Sequence, residues 1–456
     1  MRALFMIAAA AMVIAPAGGC AEPDFAECTV QCDTDSDCPS SLTCNGEGYC
    51  TQSSTATCTT RPDAGSPSDG APIDAPMPPM SDGMSDDGGM PPFDAGDDDG
   101  GGPPPFDGGG PDGDPPFEPS NGLGSAQLSG VTGAIDTSGS DDVIIDTVTG
   151  EIRQGTTTLR DPGQGIHQGI SFTFSDDGFA FGVTSVDLDA PVRVDGDNPL
   201  QIVSAGDVHI TSVMDATGGC VIGSDSFCGG PGGGDGDGEP FCGAGNEGTG
   251  QNGGGGGGYG QAGAGGIGAE CSLVFGGGVC GSASIEPLTG GGGGGIAAGS
   301  GADGGGGGGA VQIVSFTTIV IGSAGGGLAG INVGGAGGEG QFGGGGGGGA
   351  GGAILLEAPA ITLHAAAVLA ANGGGGGCGS ITGAGETGAL SSVPARGGCP
   401  GGTNPGGRGG ALNMLPAPGS CEAGHGGGAG RIRINVPASA FDDFGAIISP
   451  KASRGG

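Results

Sequence analysis

Leu200-Gln-Ile-Val-Ser-Ala-Gly-Asp-Val-His-Ile-Thr, Val311-Gln-Ile-Val-Ser-Phe-Thr-Thr-Ile-Val-Ile-Gly and Ala353-Ile-Leu-Leu-Glu-Ala-Pro-Ala-Ile-Thr-Leu-His align end to end, with apolar residues at offsets 0, 2, 8 and 10 in all three. Alternating apolar positions mark strands with one buried face, and the gap between the two pairs leaves room for a turn. A unit this small cannot bury its own apolar face, so it stacks on copies of itself. A partial fourth copy, Arg431-Ile-Arg-Ile-Asn-Val436, alternates in the same way. The expected fold is all-β, a parallel β-helix or solenoid-like stack of these repeats. Ile202, Ile313 and Leu355 then occupy equivalent inward positions, while Gln201 and Gln312 face the other way, where substitution costs little.

Glycine supplies 119 of the 456 residues and closes each repeat in runs at Gly253–Gly258, Gly290–Gly295, Gly304–Gly309, Gly343–Gly349 and Gly373–Gly377. Two readings of these long insertions stay open. They are flexible loops, favoured by glycine's entropy cost, or bundles of extended helices of the polyglycine II kind, in which backbones lacking Cβ atoms satisfy one another. The 49 acidic and 11 basic residues give a net charge of −38, which repels phosphate backbones and argues against a nucleic-acid partner.

Arg2, the apolar stretch Ala3–Pro16 and small residues up to Cys20 have the layout of an export signal, residues 1–20, too short to span a bilayer. Ala17-Gly18-Gly19-Cys20 resembles the lipobox of bacterial lipoproteins, although Ala17 stands where that motif carries Leu. The resemblance implies acylation of Cys20, and Ala21 after it implies sorting to the outer membrane. The rival is cleavage after Ala17 with Cys20 left as a thiol. Cysteine parity favours the lipid: removing Cys20 from 15 cysteines leaves 14, and exported proteins rarely leave a thiol unpaired. The disulfide candidates are Cys28, Cys32, Cys38, Cys44, Cys50 and Cys58 near the N-terminus, and Cys220, Cys228, Cys242, Cys271, Cys280, Cys378, Cys399 and Cys421 in the glycine-rich half.

Residues 21–60 have few large apolar side chains and read as a small disulfide-rich module, and Asp35 to Cys50 looks like the cysteine-rich modules of many secreted proteins. Zinc is the weaker alternative, since no histidine accompanies these cysteines. Residues 61–120 form an acidic Pro/Gly/Asp linker: Pro62–Pro119 holds 15 Pro, 13 Gly and 14 acidic residues without Lys or Arg. Such a segment is expected to stay disordered and to act as a stalk, roughly 42 Å across as a coil and about 180 Å fully extended. Residues 121–198 turn to β composition and form the N-terminal part of the main domain, and 199–456 form the glycine-rich solenoid domain.

Gly343 to Glu357 and Val368-Leu-Ala-Ala-Asn-Gly-Gly carry a further resemblance, covering about residues 180–436, to glycine-rich bacterial surface lipoproteins with PE-PGRS-like repeats. It implies a β-helical architecture and little about activity. No P-loop is present, because Lys451 is the only lysine. Asp33, Asp35 and Asp37, and again Asp235, Asp237 and Glu239, sit at alternate positions as in calcium loops without completing one; solvated turns are the default, and no metal or cofactor is expected. His167, His209, His364 and His425 are far apart and read as structural or exposed. Arg431 and Arg433 are the one close basic pair on a strand, too few for the basic cluster of an enzyme that cleaves acidic polysaccharide.

The expectation is therefore a surface-displayed structural or adhesive scaffold without catalytic activity, exported and anchored to the outer membrane by lipid. Its partners are the membrane and either cell-surface glycans or other surface proteins. A carbohydrate-binding module is the alternative, followed by ice or mineral binding and by a polysaccharide-cleaving β-helix enzyme.

Overall fold

The computed structural model describes residues 43–44, 50–51 and 117–455, apart from 140, 176–177, 220–228, 237–241, 250–251 and 269–270; of 43, 44, 50, 51, 267, 268, 271 and 272 it gives the backbone alone. The chain divides into two units, Met1–Gly100 and Gly101–Gly456. In the first, Thr43–Cys44 pairs antiparallel with Cys50–Thr51, setting Cys44 opposite Cys50.

The second unit is nearly all β, with two 3-10 turns, Ser125–Leu128 and Ala438–Ala440, and no α-helix among the described residues. Its repeats each hold three strands, not the two that alternation in the sequence reveals. Leu200–Ser204, Val208–Ile210 and Val213–Asp215 are followed by Ala310–Ser315, Thr318–Ile321 and Ala329–Asn332, then by Ala353–Glu357, Ala360–Leu363 and Ala367–Ala370. Gly178–Val183, Val186–Leu188 and Val192–Asp195 form an earlier repeat, and Arg431–Asn435, Phe441–Asp443 and Ile447–Ser449 a later one. The three strands of each repeat enter three different sheets, and within each sheet equivalent strands pair in parallel.

The sheet containing Leu200–Ser204 is called the third sheet here, that containing Val208–Ile210 the first and that containing Val213–Asp215 the second. Antiparallel strands close one edge of two of them: Ile152–Gln154 and Thr157–Arg160 on the second, Ile170–Ser175 and Gly165–His167 on the third. Arg160 fixes this end. Fully buried, its guanidinium donates to the carbonyls of Gly150, Asp161, Gly163, Gly165 and Ile170 at 2.6–3.2 Å and lies 5.3 Å from the Phe172 ring centroid. Burial lowers its pKa to about 10, and the five carbonyls use all five donors of the fork.

Inward-facing rows from all three sheets merge into one apolar cluster, including Leu200, Val311, Ile354 and Ile432, then Ile202, Ile313, Leu356 and Ile434, with Ile210, Ile321, Leu363, Ile331 and Leu369 from the other two sheets. Each such side chain contributes about 1.5–3 kcal/mol through burial.

The register corrects the sequence alignment at its third copy. Ile313 pairs with Leu356, not Leu355. The turn after Glu357 is one residue shorter than its counterparts, so Val208, Ile319 and Ile361 still align in the first sheet. The continuous apolar run Ile354-Leu355-Leu356 permits the slip because both faces of this strand are buried: Ile354 and Leu356 join the main cluster, while Leu355 joins a second with Tyr259, Ile285, Leu288 and Ala350.

Gln201 and Gln312 do point away from the main core, but both are fully buried. Residues 117–128 lie over them along the outer face of the third sheet. Phe117, Leu123 and Leu128 pack on Ala180, Val203 and Val314. Asn121 Nδ2 donates to Gln312 Oε1 at 3.0 Å, and Gln312 Nε2 donates to the buried Glu357 carboxylate at 2.7 Å. The expectation that substitution costs little in this row is therefore overturned: its polar side chains face a covering segment rather than water.

Candidate functional site

The three insertions, 216–309, 333–352 and 371–430, all leave after a second-sheet strand and return into the third sheet. Their glycine runs are ordered against one another. Along 344–352, the N–H groups of Gly346, Gly349 and Gly352 donate to Glu339, Ala336 and Val333. Those of Gly345, Gly348 and Gly351 donate to Glu422, His425 and Gly428, and those of Gly347 and Ala350 to Gly295 and Gly292. The run's carbonyls accept from Gly254 and Gly257, from Gly305 and Gly308, and from Gly374 and Gly377. Donors thus rotate among three neighbours with a three-residue period and acceptors among three more. Along its middle the six surrounding backbones leave no room for side chains: an added Cβ at Gly346, Gly347, Gly348 or Gly349 would fall on a neighbouring carbonyl oxygen. Glycine is demanded here by close approach.

Polar side chains of the insertions serve the same block. His425 is buried and accepts the Gly419 N–H at Nδ1 (3.0 Å), and burial lowers its pKa to about 4. Tyr259 is fully buried, and its phenol is pushed up by burial, opposed by Thr289 and by Arg431. Arg431 lies 5.7 Å from the Tyr259 ring centroid and donates to Cys280 O, while Arg433 donates to Asn435 Oδ1 and Ala283 O. The basic pair singled out in the sequence therefore ties an insertion to the third sheet.

Disulfides join Cys242 to Cys280 and Cys378 to Cys399, closing separations of 38 and 21 residues, and Cys421 is also disulfide-bonded. Cys20, Cys28, Cys32, Cys38, Cys58, Cys220 and Cys228 lie outside the described residues, as do the side chains of Cys44, Cys50 and Cys271 and the candidate carboxylates Asp33, Asp35, Asp37, Asp237 and Glu239.

Outside the block, two polar surfaces stand out. A groove of about 440 Å³ where the first insertion departs is lined by Arg193, Asp195, Asp197, Asp215, Thr217 and Pro231. Arg193 Nε meets Asp195 Oδ1 at 2.7 Å, and Asp215 accepts the Thr217 N–H at 3.1 Å. On the first sheet, strand register lines up Asp136, Asp187, His209, Val320, Thr362 and Asp442 in one outward row. Burial and then Asp189 raise the Asp187 pKa, whereas Thr317 and Thr318 hydroxyls lower that of Asp207. Reading His209 as isolated missed this row, because its neighbours come from repeats about twenty residues or more away; the signal available was the shared offset within the repeat. Among the described residues no group of three His, Cys, Asp or Glu is arranged to hold a metal ion, and no helix is long and apolar enough to cross a membrane.

Apolar side chains project from turns of the insertions: Phe275, Phe342, Ile381, Val393 and Leu415 are all more than half exposed. The Phe342 and Ile381 turns adjoin, since Gly343 N donates to Gly379 O at 3.1 Å. No family profile, curated protein or solved structure matches the chain.

Proposed function

We propose that this protein is a lipid-anchored, surface-displayed scaffold whose second unit is a parallel β-solenoid of three-strand turns braced by a polyglycine II bundle. The observation that carries the reading is the bonding of run 344–352 to six neighbouring backbones: such a block is rigid yet presents few side chains for chemistry. Arg160 and Glu357, both buried, and Arg431 and Arg433, both half-buried, spend their hydrogen bonds on holding the fold. The exposed apolar turns supply the contact surface of an adhesive role, because large apolar groups held in water on a rigid support favour association. Cell-surface proteins are the partners this surface suits.

The test is cellular. Cys20→Ala should move the protein from the membrane fraction to soluble fractions, and external protease should remove the wild-type protein from intact cells. A variant that still sediments with membranes refutes the anchor, and protection from protease refutes surface display.

A carbohydrate-binding reading rests on Phe174, which is 67% exposed and packs at a tilt of 32° against Phe179 with centroids 4.2 Å apart. Aromatic faces of this kind accept the apolar side of a sugar ring. Glycan binding lost in Phe174→Ala at unchanged stability would favour that reading over adhesion through the insertion turns.

A further inference from the structure

Residues 117–128 run across the strands rather than along them. Ser120 donates from its amide and hydroxyl to Glu357 at 3.3 and 2.9 Å, and Asn435 Nδ2 donates to the same carboxylate at 2.8 Å. Seven residues later, Gln127 O accepts from Ser171 Oγ at 2.6 Å, on the antiparallel strand at the opposite edge region of the third sheet. The segment thus passes over Ala353–Glu357, Ala310–Ser315, Leu200–Ser204, Gly178–Val183 and Ile170–Ser175. Four inter-strand steps amount to about 19 Å, within the roughly 24 Å that seven extended residues reach.

Two consequences follow from this course. The first strands of the stack are entered from residue 129 onward, yet residue 117, which continues into the acidic Pro/Gly segment, lies beside the later repeats. The segment's own backbone bonds are also local, Leu123 to Ser120, Gln127 to Gly124 and Ser129 to Ala126, so it adds no strand to the sheet. It is held by a few side chains: Phe117, Leu123 and Leu128 on apolar ground, Ser120 and Asn121 on polar ground.

We propose that residues 117–128 form a latch that opens separately from the strands and carries the point of tether attachment from the first strands to the repeats of Ala310–Ser315 and Ala353–Glu357. This rests on the tethered-scaffold reading. A pull on the stalk meets Phe117 and Ser120 first, so the latch yields while the three sheets stay intact. Its release uncovers Gln201, Gln312 and Glu357.

The mature protein, disulfides intact, tests this in two ways. In hydrogen exchange, peptides covering 120–128 are expected to exchange at least 100-fold faster than those covering 200–204 and 353–357. Leu123→Ala should accelerate the first group about tenfold and leave the others unchanged. In optical tweezers with handles at the two chain ends, the first event should lengthen the described unit by roughly 40 Å, the contour of twelve residues. Equal exchange of latch and strands, an Ala variant that changes both alike or neither, or a first event above about 100 Å overturns the proposal. Neither readout involves a membrane, so a latch that behaves as stated in a protein that proves to lack lipid would defeat the tether reading alone.

Discussion

Gly348→Ala puts the glycine block under direct strain. The Gly348 N–H donates to His425 O at 2.8 Å and its carbonyl accepts from Gly257 at 2.9 Å, while an added Cβ would fall on the carbonyl of Gly374. Relief requires run 371–379 to retreat, which loosens Gly374 N to Gly349 O and Gly377 N to Gly346 O, both 2.8 Å. Each interior donor left unpaired costs about 1–3 kcal/mol. Alanine returns up to about 1 kcal/mol by restricting the unfolded chain, leaving a net loss of about 1–5 kcal/mol. Gly278 is the control: no atom lies within 4 Å of a Cβ built there, so Gly278→Ala should be neutral or slightly stabilising. Guanidinium unfolding with disulfides intact reads the difference. If the two variants agree within about 0.5 kcal/mol, the run behaves as a loop and the bundle reading is wrong.

His425 gives a pH signature. Its folded pKa of about 4 lies below the ordinary 6.5, so its contribution is whole above pH 6.5, fades as pH falls toward 4, and totals about 3 kcal/mol; melting curves of wild type and His425→Gln should converge over that window. Replacing Cys242 with Cys280, or Cys378 with Cys399, by serine pairs should cost about 4 and about 3 kcal/mol by loop entropy, checked by denaturant titration; no loss in either would mean the block holds its insertions unaided. Gln312→Leu deprives Glu357 of a 2.7 Å donor and should cost about 2–3 kcal/mol, whereas a change below about 0.5 would show water reaching that carboxylate. Ile202→Asp buries an uncompensated charge in the main core and should abolish cooperative thermal unfolding, a result that retained cooperativity would contradict.

How much was legible in the sequence follows from what each element offers the eye. Leu200–Ser204 and Ala310–Ser315 share a period-two pattern and pair as aligned. Ala329–Asn332 and Ala367–Ala370 escaped notice because small residues and glycine replace the alternation there. The slip at Leu355 arose where apolar residues fill both faces, so period alone has two solutions. Segment 117–128 was hidden for a different reason: the surface it covers is built of Gln201, Gln312 and Glu357, side chains that read as solvent-facing. Order among the glycine runs stayed open between loops and bundles, since the information that decides it lies in which backbone each N–H meets rather than in side chains. The row from Asp136 to Asp442 needed the register before its members could be seen as neighbours.

The three-residue rotation of donors along 344–352 sets a rule for how such a protein can change length. Gly346, Gly349 and Gly352 address one neighbour, Gly345, Gly348 and Gly351 another. Adding or deleting a whole triplet slides the run by one turn and returns every N–H to a backbone of the same identity. Adding or deleting one or two residues turns the remaining donors by a third of a revolution, toward the wrong neighbours, throughout the rest of the run. A run bonded in this way is therefore expected to change length in multiples of three residues, a reading frame imposed by the fold on top of the one imposed by the code.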